Sequence, residues 1–159
     1  MSMQDRFTPG LHAAIDGAAD EAHRLGNDSI SPAHFLLVML GDTKSPAYRA
    51  LAGLNADPEA MKAYLRENLT TSPGQNVPAT AKEMFWTPRA KHSLELSVEE
   101  ARLEGSMHID ARHLFVGAIL QGNLVSGDDF PGFGYKYLHE RGIAPGDIRT
   151  YLRKQEKTE

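Results

Sequence analysis

The sequence predicts an all-α protein built from one helical unit used twice. Three observations carry that expectation. The stretch from Arg6 to Leu40 recurs between Phe85 and Leu120. With Thr8 placed on Thr87, an offset of 87 − 8 = 79, Pro9 falls on Pro88, Glu21 on Glu100, Gly26 on Gly105, Ile30 on Ile109 and His34 on His113. Similarity at a fixed spacing marks a duplicated unit whose halves pack on each other. Second, a capping residue followed by proline recurs at Thr8-Pro9, Ser31-Pro32, Ser45-Pro46, Asp57-Pro58 and Thr87-Pro88, the pattern of helix starts. Third, the apolar residues between these starts fall at steps of three and four.

The elements follow in order. Leu11, Ile15, Ala18, Ala22 and Leu25 share one face of a first helix, and Gly26-Asn27 ends it, because both residues accept a left-handed backbone. Ile30 lies in a short connector. The run His34 to Leu40 is apolar on all sides, so the helix opened by Ser31-Pro32 is central. A strand is the rival for so short a run, and the Ser-Pro start favours helix. Two further helices carry Tyr48, Leu51 and Leu54, then Met61, Tyr64, Leu65 and Leu69. The second unit repeats the order: Thr87 to Gly105, then Ala111 to Leu120 capped by Asp110. Leu51 aligns with Leu138, an offset of 138 − 51 = 87, so the second unit is eight residues longer. The extra residues lie in a Gly-rich insertion within 121–134, where Phe130 and Phe133 either tuck onto the core or offer a contact surface. Tucking is preferred, since exposed aromatic rings are costly. A last helix starts near Pro145. The expected organisation is one domain over 1–159, with repeat one at 5–69, a polar Pro/Gly linker at 70–84 and repeat two at 85–155.

Composition narrows the function classes. The 159 residues are 41% hydrophobic and 24% charged, with net charge −4 and no cysteine. This describes a globular chain with no disulfide framework, no cysteine-held metal and no basic footprint for nucleic acid. No apolar run reaches the roughly 20 residues of a membrane span. No secretory leader is evident, so a cytoplasmic location is the default expectation.

Few residue patterns in the sequence point to chemistry. His12, His23 and His34 are spaced by eleven, but eleven helical residues span about 16 Å, too far for two imidazoles to share an ion. His34 and His113 hold equivalent places at the start of the central helices. Their expected role is structural, a side-chain hydrogen bond that orients the connector. No nucleophile motif or phosphate loop is present. The pairs Glu99-Glu100 and Asp128-Asp129 are expected to be solvated charge. The expectation is a protein without catalytic activity, metal or cofactor.

The duplicated unit resembles the N-terminal domain of the Clp AAA+ unfoldases, most closely the ClpC type. The residues that carry the resemblance are Arg6-Phe7-Thr8, Arg24-Leu25-Gly26-Asn27, Ile30 and His34-Phe35-Leu36-Leu37 in the first copy. In the second they are Trp86-Thr87-Pro88-Arg89-Ala90-Lys91, Glu95-Leu96-Ser97, Glu99-Glu100-Ala101-Arg102 and His113-Leu114. The resemblance implies two pseudo-twofold-related four-helix repeats packed as one domain. It also implies a docking module for substrates, adaptors or other Clp components, with no nucleic acid or membrane partner. The alternatives are an accessory subunit that regulates the Clp proteolytic core, or a decoy for ligands of the unfoldase. A chain of this length beginning with Met leads to the expectation of a free-standing protein, against a domain cut from a larger one.

The resemblance further implies glutamates near the start of each central helix, in pockets that hold arginine-phosphorylated substrates. Here Ala33 and Arg112 stand at those positions. Alanine cannot pair with a guanidinium and arginine repels it, so phosphoarginine recognition of the family type is not expected. The candidate partner site is instead drawn at the starts of the two long helices. Thr8 and Thr87 open them with free N–H groups and a positive dipole end. Arg89 and Lys91 reinforce the second, with Trp86 just before it, a combination suited to an acidic or C-terminal peptide segment. Gly10 and His12 make the first start the weaker half. The competing role for Phe7 and Trp86 is as staples on their own helices.

Overall fold

The computed structural model describes residues 2–71, 74–123 and 132–158. Eight helices run through them: α1 (Pro9–Arg24), α2 (Pro32–Leu40), α3 (Pro46–Gly53), α4 (Pro58–Thr70), α5 (Pro88–Glu104), α6 (Ala111–Leu120), α7 (Phe133–Glu140) and α8 (Pro145–Thr158). Thr8, Ser45, Asp57 and Thr87 each accept a backbone N–H of their own helix, so the cap-and-proline starts form as the sequence implies. Gly26 and Gly105 take φ of 77° and 78°. In both, the next residue's N–H reaches five residues back, Asn27 to Ala22 and Ser106 to Ala101, which closes the helix end in a Schellman turn. The same closure ends α3 at Asn55 and α7 at Gly142, positions related by the second offset, 142 − 55 = 87.

The repeats are laced together by their connectors. β1 (Ser29–Ile30) pairs in parallel with β2 (Phe85–Trp86), and Phe7 pairs with Ile109. The bonds are mutual across the pseudo-twofold: Thr87 N–H donates to the Ile30 carbonyl, and Thr8 N–H to the Ile109 carbonyl. The segment that opens each repeat is therefore held by the other repeat. Helix packing follows the same exchange. α1 lies on α2 and α5 on α6, while α2 meets α6, α3 meets α8 and α4 meets α7. The central contact is thus made by α2 and α6, and the long first helices flank it instead of forming it. The apolar run at 34–40 explains this, since Phe35, Leu36, Leu37 and Leu40 are all buried.

Two close packings are mirror substitutions. In repeat one Gly17 of α1 sits under Val38 of α2. In repeat two the small residue moves to the other helix: Leu96 replaces Gly17 and Gly117 replaces Val38. A Cβ on Gly117 would lie 2.4 Å from the Ser93 carbonyl oxygen and 3.0 Å from the Ser97 nitrogen, so the α5 and α6 backbones approach closely there.

The ends of the predicted insertion have definite structure. Gln121–Asn123 forms a 3-10 turn, and Phe133 is the first residue of α7 instead of a loop residue. Its ring meets Tyr64 edge-on at 6.4 Å. Phe130, Asp128 and Asp129 lie outside the described residues. The predicted linker is fastened to repeat one: the Gly74 N–H bonds the Gly26 carbonyl, His23 bonds the Pro78 carbonyl, and Met84 is buried.

Candidate functional site

Two clefts related by the pseudo-twofold open where the connectors cross. The first, about 310 Å³, lies between the start of α2 (Ser31, Pro32, Ala33), Arg89 of α5 and Phe133 of α7, with Leu36, Ala118 and Gln121 behind. The second, about 410 Å³, lies between the start of α6 (Asp110, Ala111, Arg112) and the start of α1 (Thr8, Gly10), with Leu152 behind. Adding 79 to Ser31, Pro32 and Ala33 gives Asp110, Ala111 and Arg112, and subtracting it from Arg89 gives Gly10. The two clefts are one site duplicated.

This geometry sorts the residues named from the sequence. Ala33 and Arg89 share the first cleft, and Thr8 and Arg112 share the second. Lys91 is exposed and lines neither, because two residues of helix turn it about 200° from Arg89. Thr87 is occupied as a cap, its Oγ1 accepting the Ala90 N–H at 3.1 Å. Trp86 meets Phe35 of α2 edge-on, ring centroids 5.3 Å apart. The ring thus bridges the two repeats. Phe7 does stay on its own helix, 5.6 Å from the His12 ring. Leu36 and Gln121 were not singled out as site residues by sequence, since nothing in their local pattern signals a shared wall, whereas Phe133 had been weighed as a contact surface and lines the first cleft.

The polar residues beneath the clefts differ between repeats. In repeat one the Ser31 N–H donates to His34 Nδ1 at 2.9 Å, so Nε2 carries the proton and donates to Asn27 Oδ1 at 2.9 Å. Asn27 in turn donates to the Leu69 carbonyl at 2.8 Å. Burial pushes the His34 pKa down from 6.5 to about 4. His113 uses the same geometry, accepting the Asp110 N–H at 2.9 Å and donating to Glu104 at 3.0 Å. Its pKa is also lowered, first by burial and then by the Arg112 charge. Both rings orient their connectors, the role expected of them. Arg112 binds Glu104 through two 2.5 Å hydrogen bonds and lies 3.5 Å from Asp110. The cation in the second cleft is therefore charge-paired from within.

The pair Glu99-Glu100 is not solvated as a whole. Glu99 is solvated and pairs with Arg102, but Glu100 is only 4% exposed and is clasped by Arg149 of α8 at 2.5 and 2.9 Å. Adjacent helical residues point about 100° apart, so one faces water and the other α8. Its mate Glu21 is likewise buried, beside Arg24 and Arg66.

The family model of the Clp repeat (R) N-terminal domain matches residues 6–127. The chain belongs to the Clp repeat N-terminal domain family. The chloroplastic chaperone ClpC2 of Oryza sativa subsp. japonica is 31% identical over 151 residues, covering 95% of this chain and 15% of that protein. Chloroplastic ClpC1 of Arabidopsis thaliana is 30% identical over the same length. This Clp repeat chain thus spans about 15% of the length of the curated relatives it matches. Among solved structures, the N-terminal domain of ClpD from Arabidopsis thaliana superposes with TM-score 0.70 at 18% identity, covering 96% of each chain. The Hsp104 N-terminal domain from Candida albicans gives 0.75 at 15% identity, covering 96% of this chain and 93% of that one. A complex of the ClpV N-domain with a VipB peptide gives 0.68 at 13%, covering 95% and 89%. These likenesses agree with the all-α architecture. No helix among the described residues is long and apolar enough to cross a membrane. The relatives named here include chloroplast proteins, so family membership alone does not imply the cytoplasm.

Proposed function

We propose that this Clp repeat domain is a non-catalytic docking module that receives a protein segment in the first cleft and serves a Clp unfoldase or protease system. The observation that carries the reading is the cleft itself. It is walled by Leu36, Ala118 and Phe133, placed where the two repeats cross, and has a single charged side chain, Arg89, among its described lining residues. An apolar cavity with few polar groups is the usual form of a binding site. The partners that fit are substrates, adaptors or Clp components presenting a short exposed segment. The ClpV N-domain solved with a VipB peptide supports a peptide ligand for this fold.

The chain contains no cysteine, which allows a clean test. Arg89→Cys, alkylated with a bulky maleimide, fills the cleft mouth. Leu103→Cys, alkylated in the same way, loads the exposed far end of the same helix. The expected result is that the first label abolishes capture from a displayed peptide library and the second does not. Equal capture by both labelled proteins overturns the proposal.

A further inference from the structure

β2 has an open outer edge. The backbone is extended at Met84 and again at Thr87, with Phe85 and Trp86 between them paired to β1. The Thr87 N–H donates to the Ile30 carbonyl at 3.0 Å, and Ile30 stands opposite Trp86 in the register. Backbone groups of a strand point to alternate sides, so Phe85 and Thr87 face β1 while the Trp86 N–H and C=O face away from it. Neither group has a hydrogen-bond partner among the described residues. The pseudo-twofold mate of this edge is closed. Phe7 is the mate of Trp86 (86 − 79 = 7), and its N–H donates to the Gln4 carbonyl at 3.1 Å, because the 3-10 turn Met3–Arg6 runs directly into it. In repeat two the 3-10 turn Ala81–Glu83 closes on Met84 and stops short of Trp86.

The side chains differ in the same sense. Phe85 is 76% exposed, the one aromatic ring among the exposed large apolar side chains of the described residues. Its mate Arg6 is tied down, with Nε donating to the Met107 carbonyl at 2.9 Å. Trp86 turns the other way, onto Phe35, as alternation along a strand requires. An unpaired strand edge beside an exposed apolar ring is a template for a further strand.

We propose that the outer edge of β2 accepts an extended segment of a partner protein as an added third strand, with a β-branched or aromatic residue of that segment over Phe85. Donor and acceptor lie on one residue and point the same way. The occupant must therefore offer an acceptor and a donor from one side of its own backbone. A strand does so, whereas a helix has used both within itself. In an antiparallel arrangement one residue of the segment answers both Trp86 groups. Its neighbour then stands opposite Phe85 with Cβ atoms about 4.5–5.5 Å apart, where β-branched and aromatic side chains pair best. Phe85 and Trp86 line neither cleft, so this surface goes beyond the docking reading and stands or falls without it.

Trp86 is the single tryptophan of the chain, so its fluorescence reports on the edge directly. The full chain is titrated with an acetylated, lysine-flanked peptide amide of alternating valine and threonine, and with the same peptide N-methylated at its central residues. Methylation keeps the side chains and removes the N–H donors. The first peptide is expected to give a saturable change in Trp86 fluorescence at one per chain, and the methylated one to bind at least tenfold more weakly. Phe85→Ala, a change at an exposed position checked for folding by circular dichroism, is expected to weaken the first peptide at least threefold. Hydrogen exchange of the Trp86 amide is expected to slow at least tenfold in the complex, while that of the Phe7 amide, already bonded to Gln4, stays the same. Equal binding of the two peptides, unchanged binding by folded Phe85→Ala, or an unprotected Trp86 amide at saturation overturns the proposal. So does binding of two peptides per chain, or no saturable change at millimolar peptide.

Discussion

Lowering the pH from 7.5 to 5.0 is expected to remove about 2 kcal/mol of stability through His34 alone. The neutral ring is held by the Ser31 N–H on Nδ1 and by Asn27 on Nε2, with 1% of the residue exposed. Its pKa falls from 6.5 when unfolded to about 4 when folded. Because the folded value is the lower one, the contribution is complete above pH 6.5 and is lost as the pH falls toward 4. At pH 5.0 the unfolded ring is about 97% protonated and the folded ring about 9%, which integrates to about 2 kcal/mol. The full span of the shift is worth about 3 kcal/mol. His113 is lowered in the same direction and adds to the slope. The assay is urea unfolding at several pH values for the native chain and for His34→Gln. The variant is expected to show a dependence between pH 5 and 7.5 that is smaller by about 2 kcal/mol, whatever its absolute stability. Equal slopes in the two proteins, or an NMR titration placing His34 above about 6, would falsify the assignment of a buried neutral ring.

Gly117→Ala is expected to destabilise by about 1–3 kcal/mol, although alanine favours helix, because its Cβ would meet the α5 backbone at 2.4 Å. Gly146→Ala in α8, with nothing within 4 Å, is expected to be neutral or stabilising by up to about 1 kcal/mol. Chemical denaturation of both variants checks the pair. Leu37→Ala, at 2% exposure, is expected to cost about 2–4 kcal/mol; a loss under about 0.5 kcal/mol would mean that Leu37 is not in the α2 core. Free phosphoarginine is expected to show no micromolar binding in calorimetry, since Ala33 offers no carboxylate and Arg112 is bound to Glu104. Ala33→Glu is the variant in which a gain is sought. Arg112→Glu is not, because it would set a third carboxylate beside Glu104 and Asp110.

The helices were legible because each start carries its own local signature. A cap followed by proline is read within two residues, and Gly26 and Gly105 mark stops that need a left-handed backbone. The repeat offset added long-range information, since it related Ile30 to Ile109 and His34 to His113 before any contact was known. The exchange of connectors was not legible. Two-residue strands have no periodicity to detect, so the bond from Thr8 to Ile109 leaves no trace in the sequence. For the same reason Thr8 and Arg89 were drawn as two helix starts, and their separate pairing with Arg112 and Ala33 came only from the fold. Glu100 was misread because a solvated and a buried glutamate look alike until α8 brings Arg149 to one of them. Lys91 was grouped with Arg89 by proximity in sequence, where helix geometry separates them.

The central claim is that a protein segment docks in the first cleft and not in its pseudo-twofold mate. The most direct measurement is a ¹⁵N NMR titration of the full chain with a captured peptide. Saturable amide shifts confined to Ala33, Leu36, Arg89, Ala118, Gln121 and Phe133 are expected, with Gly10, Ala111 and Arg112 unmoved. Shifts centred on the second cleft or on the exposed face around Lys91, or no saturable shift at millimolar peptide, would contradict it.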